Sequence, residues 1–223
     1  MNDVANLWAG AASVANGGYA WAKAIHYATD HGVKVINMSL GSESFQSCPS
    51  YLQEAVSYAV SRDVVVASAG NEGRARDWRS MPANCPGVLA AGGLDGLVKP
   101  WSGTTPGEYV TAAAPAVHVP SIDNSGVFRK PGLVGTSAAT ALTSGVVALV
   151  SSRYPEMPTR EIVQRILATI QGRRKTRLGR RHRLRPGPPL QNPGGQSPHH
   201  SPQPRLHQTR SIGCLLLARR KRA

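Results

Sequence analysis

Two short stretches of this 223-residue chain place polar side chains beside glycine and other small residues. The first, Gly135-Thr136-Ser137, precedes an apolar run that continues to Val150, which predicts a glycine-led turn and then a helix. Unpaired N–H groups at a helix start would stabilise negative charge that develops on a substrate beside Ser137. Because Ser and Thr are also common helix N-caps, Gly-Thr-Ser alone is equally typical of a plain capped helix.

The second stretch runs from Ala67 to Gly73. Val64 to Ala69 is a continuous apolar run, as in the strands of parallel sheets that are covered on both faces. Asn71 therefore follows the carboxyl end of a strand, where open α/β sheets bind their ligands. Its amide could donate to an oxyanion, although Gly-Asn after a strand is also ordinary turn chemistry.

Helical and extended patterns alternate along the chain, which predicts an α/β domain with a parallel sheet flanked by helices. The first helix should end at Gly32. The helix after the first strand should start at a Ser50/Gln53 capping box, and the last helix, which follows the Ser137 helix, at a Thr159 cap. The predicted elements are a helix over 21–31, strands over 33–40, 64–69 and 88–94, short extended pieces over 109–119, and helices from 50, 137 and 159.

The charge distribution divides the chain at residue 171. Residues 1–171 contain 12 Lys+Arg and 12 Asp+Glu, whereas residues 172–223 contain 14 Lys+Arg and no acidic residue, so the second segment carries the whole net charge of +14. We therefore predict a folded domain over 1–171 and a disordered Arg/Pro/Gly-rich tail over 172–223. The tail is open to three interpretations: a polybasic arm for nucleic acid or a membrane surface, a solvated linker, or out-of-frame translation. It lacks interleaved aromatic residues, so we expect no specific nucleic-acid binding.

Three cysteines leave room for one disulfide. Cys48 and Cys85 each precede a proline in a loop after a predicted strand, and a bridge between them would indicate an oxidising compartment. Two unpaired thiols remain the alternative. The sequence shows no signal peptide in this chain, no membrane span and no metal-binding pattern.

Four motifs occur in an order and at separations that resemble the subtilisin-like serine peptidases (subtilases), and most of all the mycosin-type proteases. They are Asn-Met-Ser-Leu-Gly at 37–41, Ala-Gly-Asn at 69–71, Ala-Ala-Pro at 113–115 and Gly-Thr-Ser-x-Ala at 135–139. The resemblance covers about residues 15 to 170. It implies a partial subtilisin-like fold, a serine endopeptidase acting on peptides or proteins, and an extracellular or cell-envelope location. No cofactor is identifiable, and calcium is implied by the resemblance alone.

The resemblance also assigns roles to residues. Ser137 would be the nucleophile that forms an acyl-enzyme, and Asn71 the side-chain donor to the oxyanion. The substrate backbone would pair with Ser39, Leu40 and Gly41. The wall of the primary specificity pocket would be formed by Ser68, Ala69 and Gly70. Two positions depart from the family pattern without removing a reacting group: Ala141 replaces a proline and Ala116 a glycine.

Neither the Asp-Ser/Thr-Gly nor the His-Gly-Thr motif of the family is present in this sequence. A serine needs a general base, and that base needs an orienting carboxylate. None of the available candidates has the sequence context that these roles require. The candidates are His26, Asp30, His31, His118 and the tail histidines His182, His199, His200 and His207. We therefore expect a fragment truncated at its front, inactive alone, with a non-catalytic peptide-binding module bearing a basic arm as the alternative. A split enzyme completed by another chain is a third interpretation.

Overall fold

A computed structural model describes residues 4–6, 14–44, 46–74, 78–123 and 125–170, so the predicted tail lies outside the described residues. The described part contains thirteen helices and strands. In chain order they are β1 (Val4–Asn6), α1 (Val14–Asp30), β2 (Val35–Met38), β3 (Ser42–Ser44), α2 (Ser50–Val60), β4 (Val64–Ser68), β5 (Arg79–Met81), β6 (Leu89–Leu94), β7 (Val110–Pro115), β8 (Val119–Ile122), β9 (Phe128–Leu133), α3 (Thr136–Arg153) and α4 (Thr159–Thr169).

The centre of the fold is a five-stranded parallel sheet in the order β1-β2-β4-β6-β7. Every described side chain of β2, β4 and β6 is buried, as expected for parallel strands covered on both faces. Successive strand residues point to opposite faces. Ile36 and Val65 thus enter the core beneath α1 and α2, whereas Val35 and Val66 enter the core that contains Val147 of α3 and Ile162 of α4. The predicted α/β fold is confirmed.

The predicted helix starts need correction. α2 and α4 are preceded by Pro49 and Pro158 at their N-cap positions, and neither helix has a side-chain cap. The Ser50/Gln53 capping box does not form, because the Gln53 amide instead donates to the Pro86 carbonyl and the Ser57 hydroxyl. Thr159 donates to the Arg62 carbonyl, which ties α4 to the turn before β4. Gly32 does end α1 in the left-handed region, with φ +71°.

Helix α3 has no charged residue before Arg153, and small or apolar residues occur on both its buried and its exposed face. One face packs on the sheet through Ala139, Thr143 and Val147. The opposite face begins at Ser137 and continues at four-residue intervals through Ala141, Gly145 and Leu149, which are exposed. Leu149 is 71% exposed, and a Cβ on Gly145 would contact nothing within 4 Å. An open apolar strip therefore leads away from the serine.

A buried carboxyl group makes stability depend on pH. Asp63, between α2 and β4, is 2% exposed, and this burial raises the pKa of its carboxyl group despite the Thr29 hydroxyl, Lys34 and Arg62 nearby. Because the folded-state pKa of Asp63 is raised, its contribution to the free energy of unfolding is fully present at pH values below its unfolded-state pKa. That contribution is lost as the pH rises through the folded-state pKa. We expect Asp63→Asn to raise the free energy of unfolding at pH 8 by about 1 kcal/mol and to flatten its pH dependence. Urea unfolding from pH 4 to pH 8 measures both, and a variant less stable than wild type at pH 8 would contradict the assignment.

Candidate active site

The start of α3 is set by glycine rather than by a hydroxyl cap. Gly135 occupies the N-cap position with φ +144°, a conformation that side chains disfavour, and its N–H donates to the Ala116 carbonyl at 2.8 Å. Neither Thr136 nor Ser137 caps the helix, so the plain capped start that Gly-Thr-Ser also suggests is wrong. Ser137 is half-buried in the first turn, and its backbone N–H has no partner among the described residues.

Asn71 provides the cap from a different part of the chain. Its Oδ1 accepts hydrogen bonds from the Thr136 backbone N–H and the Thr136 hydroxyl, each at 2.8 Å. These two bonds fix the plane of the amide, while the exposed Nδ2 group donates to no atom of the described residues. Gly70, immediately before it, has φ +102°, so the turn after β4 requires glycine. The structure therefore brings two unpaired donors, the amide of Asn71 and the N–H of Ser137, to one helix start.

Ser137 and Ser39 form a reciprocal pair. The Ser137 hydroxyl donates to the Ser39 carbonyl at 3.0 Å, and the Ser39 hydroxyl lies 3.0 Å from the Ser137 carbonyl. Asn37, at the end of β2, supports the pair because its Oδ1 also lies 3.2 Å from the Ser39 hydroxyl and accepts from Ser144 at 3.0 Å. The acceptor of the Ser137 proton is thus a peptide carbonyl, which is far too weak a base to remove it.

The segment Ser68 to Gly70 is buried and held by hydrogen bonds on both sides. The Ser68 hydroxyl lies 2.6 Å from the Thr136 hydroxyl, so this segment and the helix start are fixed together. The Ser68 carbonyl accepts from Ser80, and the Ala69 carbonyl accepts from the Tyr109 hydroxyl, both at 3.0 Å. Burial raises the pKa of the Tyr109 hydroxyl, which keeps it protonated as a donor.

Ser80 joins this segment to the neighbouring one. Gly41 follows Leu40, and a Cβ on Gly41 would lie 2.5 Å from the Ser80 Oγ atom. Leu40 is partly buried against the α1/α2 core, and Gly41 is exposed. The two segments that the sequence assigns to substrate binding therefore approach each other across Ser80. Sequence reasoning missed Ser80 and Tyr109, because Ser80 lies in the short strand β5, Tyr109 lies in the turn before β7, and neither carries a local motif.

None of the described histidines forms a hydrogen bond with Ser137. His26 packs beside the Tyr58 ring with their centroids 4.8 Å apart, and the His31 ring bonds to the Tyr27 carbonyl within α1. His118 lies in the turn between β7 and β8 with φ +55°. Asp30 accepts a hydrogen bond from Tyr58. Among the described residues, no imidazole or carboxylate bonds to Ser137, and no group of three or more His, Cys, Asp or Glu side chains is placed to hold a metal ion.

The hydrogen bonds from Thr136 to Asn71 predict an effect of Asn71 on stability. We expect Asn71→Ala to lower the free energy of unfolding by about 1 to 2 kcal/mol, because the buried Thr136 N–H loses its acceptor. Asn71→Asp keeps an acceptor at the helix start and should lose less. Urea unfolding of the two variants compares them directly. Equal losses of unfolding free energy in the two variants would show that the helix cap at Asn71 contributes nothing to stability.

Comparison with known proteins identifies the family. The model of the subtilase family matches residues 9–192, and the chain belongs to this family. It is 38% identical to a thermostable alkaline protease of Halalkalibacterium halodurans over 66% of this chain and 39% of that protein. Subtilisin DY of Bacillus licheniformis is 35% identical over 65% of this chain and 52% of its own length.

A solved structure supports the mycosin-type resemblance. The MycP3 protease of the type VII (ESX-3) secretion system matches with a TM-score of 0.63 and 32% identity, over 73% of this chain and 55% of that one. The chain therefore spans about half or less of the length of these three proteins. The fold and the family are shared, and the activity of a complete relative is a proposal for this chain.

Proposed function

We propose that this chain carries the nucleophile and the oxyanion donors of a serine endopeptidase site, without the base that would activate them. Ser137 would attack the peptide carbonyl, and the Asn71 amide with the Ser137 N–H would stabilise the oxyanion. The observation that carries the proposal is the bonding of Asn71 to Thr136, which aligns an amide donor with the helix start that bears the serine. Ser39 to Gly41 and Ser68 to Gly70 would hold the substrate on either side.

Chemical rescue tests this assignment. Added imidazole can reach the open side of Ser137 and act as the absent general base toward an activated acetyl ester. We expect intact mass spectrometry to detect an acetyl adduct that forms in imidazole, maps to Ser137 and is absent in Ser137→Ala. Asn71→Asp is the matched variant, since it keeps the helix cap but replaces the donor by an acceptor, and it should slow acylation by roughly a hundredfold. An adduct of equal yield in Ser137→Ala would overturn the proposal.

The exposed strip on α3 favours a second candidate, in which another polypeptide supplies the base. Ala141, Gly145 and Leu149 lead from Ser137 and are uncovered in the described structure. An element that packs on this strip would end beside the serine. A polypeptide with the Asp-Ser/Thr-Gly and His-Gly-Thr motifs should then restore Ser137-dependent hydrolysis when mixed with the chain, and Gly145→Leu should block restoration.

A non-catalytic peptide-binding module with a basic arm is the third candidate. Its support is the exposed backbone at Gly41, where an extended peptide could add as a strand. Fluorescence anisotropy of a labelled peptide separates this candidate from the first one, because the affinity of a peptide-binding module should not depend on Ser137.

The Cys48–Cys85 disulfide and the family both support an extracellular or cell-envelope location. No helix of the described residues is long and apolar enough to cross a bilayer.

A further inference from the structure

The backbone of residues 39–41 lies between two strands and is not paired with other backbone. β2 ends at Met38 and β3 begins at Ser42. No backbone–backbone hydrogen bond joins residues 39–41 to any residue that the structure describes. Leu40 packs against the α1/α2 core, whereas Gly41 is exposed. The segment therefore has backbone groups with which an extended peptide could pair.

The Ser39 carbonyl of this segment already accepts a hydrogen bond from a side chain. The Ser137 hydroxyl donates to it at 3.0 Å. Along an extended chain, the polar backbone groups of successive residues point alternately to the two edges. Because the Ser39 carbonyl points toward Ser137, the edge that faces the site carries the backbone groups of Ser39 and Gly41. A peptide that adds to this edge therefore needs the carbonyl to which Ser137 is bonded.

The hydroxyl of Ser137 is held in this position by its surroundings. The Ser39 hydroxyl lies 3.0 Å from the Ser137 carbonyl and 3.2 Å from Asn37 Oδ1, so its single proton has an acceptor on either side. Asn37 is 7% exposed and also accepts from Ser144, which fixes its amide. Among the described residues, no imidazole or carboxylate bonds to Ser137. The resting hydroxyl is therefore left with the Ser39 carbonyl as its acceptor.

We propose that Ser137 obstructs its own substrate site in the resting chain, because its hydroxyl and a substrate N–H compete for the Ser39 carbonyl. This inference rests on the proposed function, since it takes residues 39–41 as the substrate-binding segment. A carbonyl oxygen has two lone pairs, so the competition weakens binding and does not abolish it. Both peptide binding and nucleophilic attack require the hydroxyl to rotate away from Ser39.

The shared rotation couples the substrate to the base. A base that accepts the Ser137 proton favours the rotated hydroxyl, and the freed Ser39 carbonyl then binds the peptide more tightly. By linkage, a bound peptide favours the same rotated hydroxyl and so assists the base. The contact between Ser137 and Ser39 is thus an autoinhibitory one that substrate and base release together.

Fluorescence anisotropy on the full chain measures the competition, with a fluorescein-labelled Ala-Ala-Ala-Leu amide as the probe. We expect Ser137→Ala to bind this peptide about fivefold more tightly than wild type, which is the factor that one neutral hydrogen bond contributes. A residue with a merely structural role would lower the affinity when truncated. Ser152→Ala is the matched control, because its hydroxyl donates to the Leu149 carbonyl at 3.0 Å in the same helix. This control should bind like wild type.

Two further measurements separate competition for the carbonyl from added space in the site. Ser137→Cys keeps a side chain that is larger than serine but whose S–H is a weak donor, so it should also bind more tightly than wild type. In a series of singly N-methylated probe peptides, one peptide lacks the N–H that pairs with Ser39. That peptide should bind wild type and Ser137→Ala equally, whereas the others keep the difference.

Four results would overturn the proposal: no gain in Ser137→Ala, weaker binding by Ser137→Cys, a gain that every N-methylated peptide keeps, or no peptide binding by either protein. The imidazole-dependent acetyl adduct is measured separately. An adduct at Ser137 with unchanged peptide affinity would leave the proposed function standing without the autoinhibitory contact. Tighter binding by Ser137→Ala without an adduct in wild type would support the contact and contradict the acyl chemistry.

Discussion

The purified chain is expected to hydrolyse a peptide p-nitroanilide at least about a million-fold more slowly than a subtilase with a complete triad. That is the size of the effect known for subtilisin, a member of the same family, when its histidine alone is removed. The structural reason is that the Ser137 hydroxyl donates to the Ser39 carbonyl, which cannot accept the proton during attack. The residues of a triad act as a unit, so an oxyanion site without its base recovers little of the lost rate.

The control for this prediction is Ser137→Ala. We expect this variant to have the same residual rate as the wild-type chain, because we propose that no base acts on Ser137. A wild-type rate that exceeds the variant's by a hundredfold or more would contradict the account, since it would require a base that acts on Ser137.

Loss of the Cys48–Cys85 disulfide is expected to lower the free energy of unfolding by about 4 kcal/mol, since the bridge closes a loop of 37 residues. Cys48 precedes α2, and Cys85, which is 2% exposed, lies in the core beneath α1 and α2. The loop that the bridge closes also contains β5, and the antiparallel pairing of β5 with β3 begins next to Gly41. Its removal should therefore loosen Gly41 and the Ser68 carbonyl, which both contact Ser80 of β5, as well as helix α2.

Urea unfolding of Cys48→Ala with Cys85→Ala measures the loss, and Cys214→Ala is the matched control that should leave stability unchanged. Alkylation provides the chemical check. The denatured, unreduced chain should take up one label, and the reduced chain three, one for each cysteine. Three labels without reduction would show that the bridge does not form.

The fold was predictable from sequence because the buried strands are continuous apolar runs. Val64 to Ala69 predicts β4 almost to the residue, and the stripe of Leu52, Ala55, Val56 and Ala59 is the buried face of α2. Helix starts were less predictable, because Pro49 and Pro158 took the positions at which hydroxyl caps were expected. The short strands β1, β3, β5 and the β8–β9 hairpin carry too few apolar residues in alternation to produce a pattern.

The site was predictable only in part. Ser137 and Asn71 could be identified from their motifs, and the structure bonds Asn71 to Thr136, the residue that precedes Ser137. The sequence could not show that the oxygen of Asn71 caps α3, because the two stretches are 65 residues apart. The pairing of Ser137 with Ser39 could not be predicted from the sequence either, because it depends on how α3 crosses the end of β2.

Labelling with a fluorophosphonate probe tests the central claim most directly, because the probe reacts with an activated serine and needs no peptide binding. We predict that the folded chain remains unlabelled, while a complete subtilisin in the same reaction is labelled. Labelling of the chain that disappears in Ser137→Ala would contradict it, and would mean that Ser137 has a base.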